Sequence, residues 1–236
     1  MVRTKTQRSI VKTADTQLTA FAAQCRARLD KYLDDTLPAA TTHPAHLHEA
    51  MRYAVLGEGK RIRPTLVYAG GLAVGANQEA LDAPAGAIEF IHAYSLIHDD
   101  LPAMDDDKLR RGIPTNHMVF GEAGAILAGD GLLTFAFELL STPGLQSPSA
   151  EDRLRIVSII SKAAGPVGMV GGQFLDLENE GKEVEFATLR DIHSCKTGAL
   201  ITASIQAGTI LGNGSAEQYE ALSVYGEKVG LAFQIV

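Results

Sequence analysis

Apolar residues recur at helical spacing along almost the whole chain. Leu18, Phe21, Ala22, Cys25, Leu29 and Tyr32–Leu33 trace one face of a helix. The same period predicts helices in HEAMRYAVLG, PTLVYAGGLAVG, GAIEFIHAYSLIHDD, GAILAGDGLLTFAFELL, AEDRLRIVSIISKAAG, VEFATLRDIHSCKTGALITASIQAGTIL and AEQYEALSVYGEKVGLAFQIV. Turn-forming clusters separate them at DTLPAATTHP, STPGLQSPSA, ENEGKE and GNGS. No period-2 strand pair joined by a hairpin turn stands out, and no internal repeat suggests a helical array. The pattern predicts an all-α fold, one domain over residues 1–236, built as a bundle of about ten helices. GEAGAILAGDG and GPVGMVGGQ are rich in small residues, which permits close helix approach at a propensity cost of ~1 kcal/mol for each Gly relative to Ala.

Composition narrows the function. The 236 residues are 46% hydrophobic and 21% charged, enough for one sizeable core. A net charge of −7 argues against nucleic-acid binding, which needs a basic face, and suits a protein that collects divalent cations. Cys25 and Cys195 form no metal-ligand spacing and no disulfide framework, so a reducing cytoplasm is expected. No uninterrupted apolar run reaches the ~18 residues of a membrane span. The opening MVRTKTQRSIVKT carries four cations and no acid, and is expected to be a solvated leader.

The chemistry concentrates in LIHDDLPAMDDDKLRRG, residues 96–112, where five carboxylates fall within nine positions beside an apolar stretch. A buried carboxylate needs a cation or a metal to neutralise it. Clustered oxygen ligands without Cys or paired His select hard cations such as Mg²⁺, which keeps several waters and binds one or two carboxylates plus substrate phosphates. In a continuous helix Asp99 and Asp105 would point ~240° apart, but Pro102 favours a bend that folds Asp105 back. Arg110 and Arg111 follow at once, and paired guanidinium forks suit phosphate oxygens. GEGKRIRPTL places Lys60 and Arg63 in a Gly-flanked turn, with Pro64 expected at the first position of the next helix, an arrangement that describes an anion site.

GGQFLDL puts Gln173 and Asp176 one turn apart, and HSCKTGALI offers Lys196 and Thr197. Each is as readily an exposed polar residue on an amphipathic helix. HPAHLH has metal-like spacing but no clustered carboxylate, and His92 reads as a core histidine on the face of Asp99.

Together, GEGKRIRP, IHAYSLIHDDLPAMDDDKLRRGIPTNH, FGEAGAILAGD, GGQFLDL, KTGALI and GLAFQ, in that order, resemble the short-chain trans-prenyltransferase family, nearest its bacterial farnesyl-forming members. The resemblance runs from about Leu29 to the last residue. It implies an all-α homodimer with a central cavity and Mg-dependent, head-to-tail condensation of isopentenyl diphosphate with dimethylallyl or geranyl diphosphate. It assigns two to three Mg²⁺ ions to Asp99 and Asp105, with Asp100 supporting. Lys60, Arg63, His92 and Arg111 match positions that hold isopentenyl diphosphate. Arg110, Lys196, Thr197 and Gln234 match contacts to the allylic diphosphate, and Gln173 lies near the reacting end. Tyr94, five residues before Asp99, matches the depth at which a ring would stop the growing chain, while Ser95 is too small to do so. The family carries a second aspartate-rich motif after FQ plus two residues, so the resemblance also implies that the sequence stops short of it.

Three other readings stay open on the sequence: a longer-chain synthase making geranylgeranyl diphosphate, a noncatalytic prenyltransferase-like subunit, and a metal phosphohydrolase built on His98–Asp99. The last would need further His and Asp ligands on neighbouring helices, and the sequence offers no matching second pair.

Overall fold

The computed structural model describes residues 5–143 and 148–233, and in it the periodic segments become ten α-helical segments. These are α1 (Lys5–Thr36), α2 (Ala45–Val55), α3 (Ile62–Ala73), α4 (Asp82–Asp99), α5 (Asn116–Ser141), α6 (Ala150–Ala164), α7 (Met169–Asn179), α8 (Phe186–His193), α9 (Ala199–Leu211) and α10 (Ala216–Phe233). A π-helical turn, Ser194–Gly198, joins α8 to α9. Such turns insert an extra residue into the helical ladder and re-aim the side chains they carry, here Lys196 and Thr197.

Helix α4 is the axis of the bundle. Every residue from Pro84 to Ile91 is buried, as expected of a helix that is apolar all round. Helix α5 packs along α4, α3 packs on α9, and α2, α6 and α10 close the sides against α5 and α9. One apolar core results, from Cys25, Leu29 and Leu33 of α1 through Ile88 and Ile91 of α4 to Ala207 and Ile210 of α9. Small residues set close crossings. A Cβ on Gly172 of α7 would lie 2.2 Å from the backbone nitrogen of Lys196, so only glycine lets α7 sit on the π turn.

Several expectations need correction. The stripe on α1 starts late, since Leu18 is 66% exposed while Cys25, Leu29 and Leu33 are buried. The basic opening runs into this same helix, whose backbone is helical from Lys5 onward. Helix α3 begins at Ile62, with Arg61 as its left-handed cap, so Pro64 stands two positions inside the first turn. Proline is tolerated there because the first N–H groups of a helix have no intrahelical partner.

A hairpin also exists, with β1 (Leu109–Arg110) antiparallel to β2 (Ile113–Pro114). Strands of two residues are too short to show alternation. The turn residues Arg111 and Gly112 both have positive φ (54° and 83°), as a two-residue hairpin turn requires. Finally, by length and composition two helical stretches, Asn116–Ser141 and Ala150–Asn179, are apolar enough to cross a membrane, with mean hydropathies of 1.5 and 1.3. Within the fold both contribute core residues, among them Leu132, Ala136, Ile156 and Ile160, and α5 carries Glu122, Asp130 and Glu138.

Candidate active site

The C-terminal half of α4 forms one wall of a cavity of about 600 Å³. His92, Tyr94, Ser95 and Asp99 line it from α4, Arg63 from α3, Gln173 and Phe174 from α7, and Lys196 and Thr197 from the π turn. Leu96, Leu101, Met104, Ile126, Met169, Val170 and Leu177 supply the remaining, mostly apolar surface. His98 lines it too, so nine residues singled out in the sequence meet around one space. Asp100, Arg110 and Arg111 line a second, smaller pocket that shares Leu96 with the first, Asp105 and Lys60 line neither, and Gln234 lies outside the described residues.

Pro102 bends the chain as its position suggests. The Asp105 amide donates to the carbonyl of Asp99 at 2.9 Å, and the Asp106 amide to the carbonyl of Leu101 at 3.1 Å, with Asp106 in the left-handed region. Asp105 is thereby folded back beside Asp99. Burial pushes the Asp99 carboxyl up to about 6; Lys196 and Arg110 oppose the shift, while the charges of Asp105 and Asp100 add to it. A buried carboxylate whose proton affinity is raised further by neighbouring carboxylates is short of positive charge, and it offers the oxygen donors a hard divalent cation fits. Among the described residues no three His, Cys, Asp or Glu side chains come together as a complete protein cage. A cation here would take its other ligands from a phosphate and water.

The two arginines of the hairpin turn in different directions. Arg110 Nε donates to both oxygens of buried Asp100, at 2.8 and 3.0 Å, and its Nη2 lies 3.7 Å from Asp107 Oδ2. Asp100 is thus committed to orienting Arg110. The Arg111 guanidinium reaches back to the carbonyl of Glu58, in the Gly57–Lys60 turn. Lys60 is exposed on that turn.

Arg63 and His92 line the same cavity. The Arg63 Nε is enclosed and has no hydrogen-bond partner among the described residues, and burial lowers the proton affinity of its guanidinium against the pull of Glu89. Burial first, and then the charges of Arg63, Arg111, Arg61 and Arg110, hold the His92 imidazole well below its usual 6.5. A neutral imidazole beside several cations can donate one N–H to an anion without adding charge. Lys196 Nζ lies 2.6 Å from Asp176 Oδ2.

Sequence reasoning passed over one network. Arg61, 6% exposed, bonds Asp30 at 2.9 Å, Glu89 at 2.6 Å and the carbonyls of Val55 and Gly57. The available signal was Glu89, a lone carboxylate inside the apolar run AGAIEFIHAY, which needs a buried cation as partner. The histidines of HPAHLH remain peripheral: His48 bonds the Thr42 carbonyl at 2.8 Å and His46 lies 3.7 Å from Glu49.

Known proteins share this arrangement of helices and motifs. The profile of the polyprenyl synthetase family matches residues 44–236. Farnesyl diphosphate synthase of Escherichia coli (strain K12) is 49% identical over 220 residues, covering 93% of this chain and 72% of its own length. Geranylgeranyl pyrophosphate synthase 7 of Arabidopsis thaliana is 46% identical over 196 residues, covering 82% of this chain and 56% of its own. Among solved structures, the apo form of an FPP/GFPP synthase from Zymomonas mobilis superposes with a TM-score of 0.88 at 40% identity, covering 93% of this chain and 80% of that one.

Proposed function

The chain belongs to the polyprenyl synthetase family, and from that premise we propose that it joins isopentenyl diphosphate head-to-tail to dimethylallyl or geranyl diphosphate, with farnesyl diphosphate as its end product. The observation that carries this reading is one mostly apolar cavity lined both by Arg63 and His92 and by Asp99 and Lys196. Two diphosphates can be held at these two groups of side chains while their apolar tails lie along its walls.

In this reading Lys60, Arg63, His92 and Arg111 hold isopentenyl diphosphate. Arg63 is suited to it because its enclosed Nε lacks, among the described residues, a partner that a phosphate oxygen would supply. Asp99 and Asp105 would hold Mg²⁺ for the allylic diphosphate, and Asp100 steadies Arg110 for the same anion. When bound, the metal stabilises charge building on the leaving diphosphate. Lys196 has three donors, so it can keep Asp176 and still reach a phosphate oxygen. Arg110 and Lys196 thus face the departing group with fixed positive charge.

The reaction balances without a side-chain base. The C1–O bond of the allylic substrate breaks and its electron pair leaves with the diphosphate. The double bond of isopentenyl diphosphate attacks the allylic cation, and the C–C bond forms. The new tertiary cation then loses a proton, for which the departed diphosphate is the nearest base. Gln173 and Thr197 offer oxygens toward the cationic centre, and the apolar walls exclude water that would quench it.

Fifteen carbons is the product we favour because buried Tyr94 lines the cavity below Asp99. A twenty-carbon product is the second reading, favoured by the similarity to a geranylgeranyl pyrophosphate synthase. A homodimer and a cytoplasmic location belong to the same proposal. Exposed Met118, Val119 and Leu127 on α5 support the first, and the free thiols Cys25 and Cys195 support the second. The test is incorporation of labelled isopentenyl diphosphate into acid-labile product with each allylic starter. Incorporation should require Mg²⁺ and cease with a chelator; a metal-independent reaction would refute the assignment.

A further inference from the structure

The turn Gly57–Arg61 carries one proposed diphosphate contact, Lys60, and leads into α3, whose second residue, Arg63, is another; the turn itself has no regular structure to hold it before α3 begins. What fixes it is Arg61, which lies between them. Arg61 is the cap residue of α3 with φ 50°, a left-handed backbone that a non-glycine residue adopts only where its surroundings impose it. Its side chain turns inward, away from any ligand, and is 6% exposed. There it ties three parts of the chain: Nε to Asp30 of α1 at 2.9 Å, Nη1 to Glu89 of α4 at 2.6 Å, and Nη2 to the carbonyls of Val55 and Gly57.

Glu89 is the buried anchor of that tie, at 4% exposure. It stands one turn before His92 on α4, and its charge also acts on Arg63. Its second oxygen, like the Nε of Arg63, is enclosed without a hydrogen-bond partner among the described residues. Arg61 has two carboxylates, whereas among the described residues no carboxylate lies within ion-pair distance of Arg63. We propose that the Arg61–Glu89 pair is the positioning device of the isopentenyl-diphosphate subsite: Glu89 holds Arg61 inward so that Lys60 and Arg63 face the ligand. This rests on the function proposed above.

The electrostatics give the proposal a distinctive sign. Glu89→Gln removes negative charge near Arg63 while keeping the side chain's shape. If Glu89 acted only through its field, an anion would then bind more tightly. If Glu89 positions the turn, the anion binds more weakly, because Arg61 loses its charge-assisted hold and the strained turn relaxes.

The experiment measures steady-state kinetics for both substrates and direct calorimetric titration of isopentenyl diphosphate, in the wild-type protein and in Glu89→Gln, Arg61→Lys and the double variant. Expected is a rise of about tenfold or more in the Michaelis constant for isopentenyl diphosphate in each single variant, matched by weaker titration. The allylic constant and kcat should stay within about threefold. The double variant should be no worse than the poorer single one, since the two side chains act as one unit. Unchanged or tighter isopentenyl diphosphate binding in folded Glu89→Gln would overturn the proposal. So would parallel losses for both substrates, or a lower melting temperature with unaltered kinetics. Should Glu89→Gln fail to fold, Asp30→Asn removes only the more exposed partner of Arg61 and should raise the same constant by about threefold, with no change overturning the idea. A folded wild-type protein that does not bind isopentenyl diphosphate would instead overturn the functional reading beneath it.

Discussion

Lys196 Nζ and Asp176 Oδ2 stand 2.6 Å apart across the cavity wall, joining the π turn to α7. Both side chains are partly exposed, at 32% and 47%, so their attraction stabilises the fold by about 1 kcal/mol or less. Its value lies in holding an ammonium ready for an anion. Lys196→Ala should raise the Michaelis constant of the allylic substrate about tenfold or more and that of isopentenyl diphosphate far less. Lys60→Ala and Arg63→Ala should do the reverse. Equal effects on both substrates would contradict two separate diphosphate sites.

Asp99→Ala or Asp105→Ala should lower turnover by about a hundredfold or more while the circular dichroism spectrum stays helical. Because burial and like charges raise the Asp99 carboxyl, its charge is held at a cost in the fold. Asp99→Asn should therefore melt no lower than the wild type. Near-normal turnover of either alanine variant at saturating Mg²⁺ would remove these residues from the metal site.

His92 makes stability depend on pH in a definite direction. Its imidazole is depressed well below 6.5 in the fold, so the unfolded chain takes up a proton that the folded chain resists. The His92 contribution is complete above about pH 6.5 and is lost as the pH falls toward the depressed folded value. Denaturant titrations should show the wild type losing stability faster than His92→Gln as the pH drops below 6.5; equal slopes would show that the imidazole is not buried neutral.

Product length rests on Tyr94. Its ring is 7% exposed, lines the cavity and packs edge-on against His98 with centroids 5.6 Å apart. His98 is itself wedged, since a Cβ on Gly129 would lie 2.2 Å from its Nε2. Tyr94 sits five residues before Asp99, or ~7.5 Å down the helix. Tyr94→Ala should shift the product from fifteen carbons to twenty or more, read by chromatography after dephosphorylation. An unchanged fifteen-carbon product from an active variant would place the floor elsewhere.

Gly172→Ala tests the close approach of α7 to the π turn. The added methyl meets backbone at 2.2 Å, which no rotamer change relieves. A loss of about 1–3 kcal/mol in stability, with activity reduced because Gln173 and Lys196 move apart, is expected. A variant of wild-type stability would show that the contact yields easily.

Helices and acids were legible because their signals are local. The 3.6-residue period marks α2 to α6 directly, and Pro102 announces the bend that returns Asp105 to Asp99. The hairpin was not legible, because Leu109–Arg110 and Ile113–Pro114 are too short to alternate. Gathering Arg63, His92, Asp99, Gln173 and Lys196 around one cavity is a long-range result of packing that no single segment states; the family resemblance supplied it. The Arg61–Glu89 pair went unread because its partners lie 28 residues apart, although a carboxylate inside an apolar helix required some cation.

The most direct measurement is sizing of the products formed from labelled isopentenyl diphosphate, Mg²⁺ and each allylic diphosphate. The account predicts label in farnesyl diphosphate from either starter, one five-carbon unit added to geranyl and two to dimethylallyl. No labelled prenyl product from folded, Mg²⁺-saturated protein, or label only in chains longer than fifteen carbons, would contradict it.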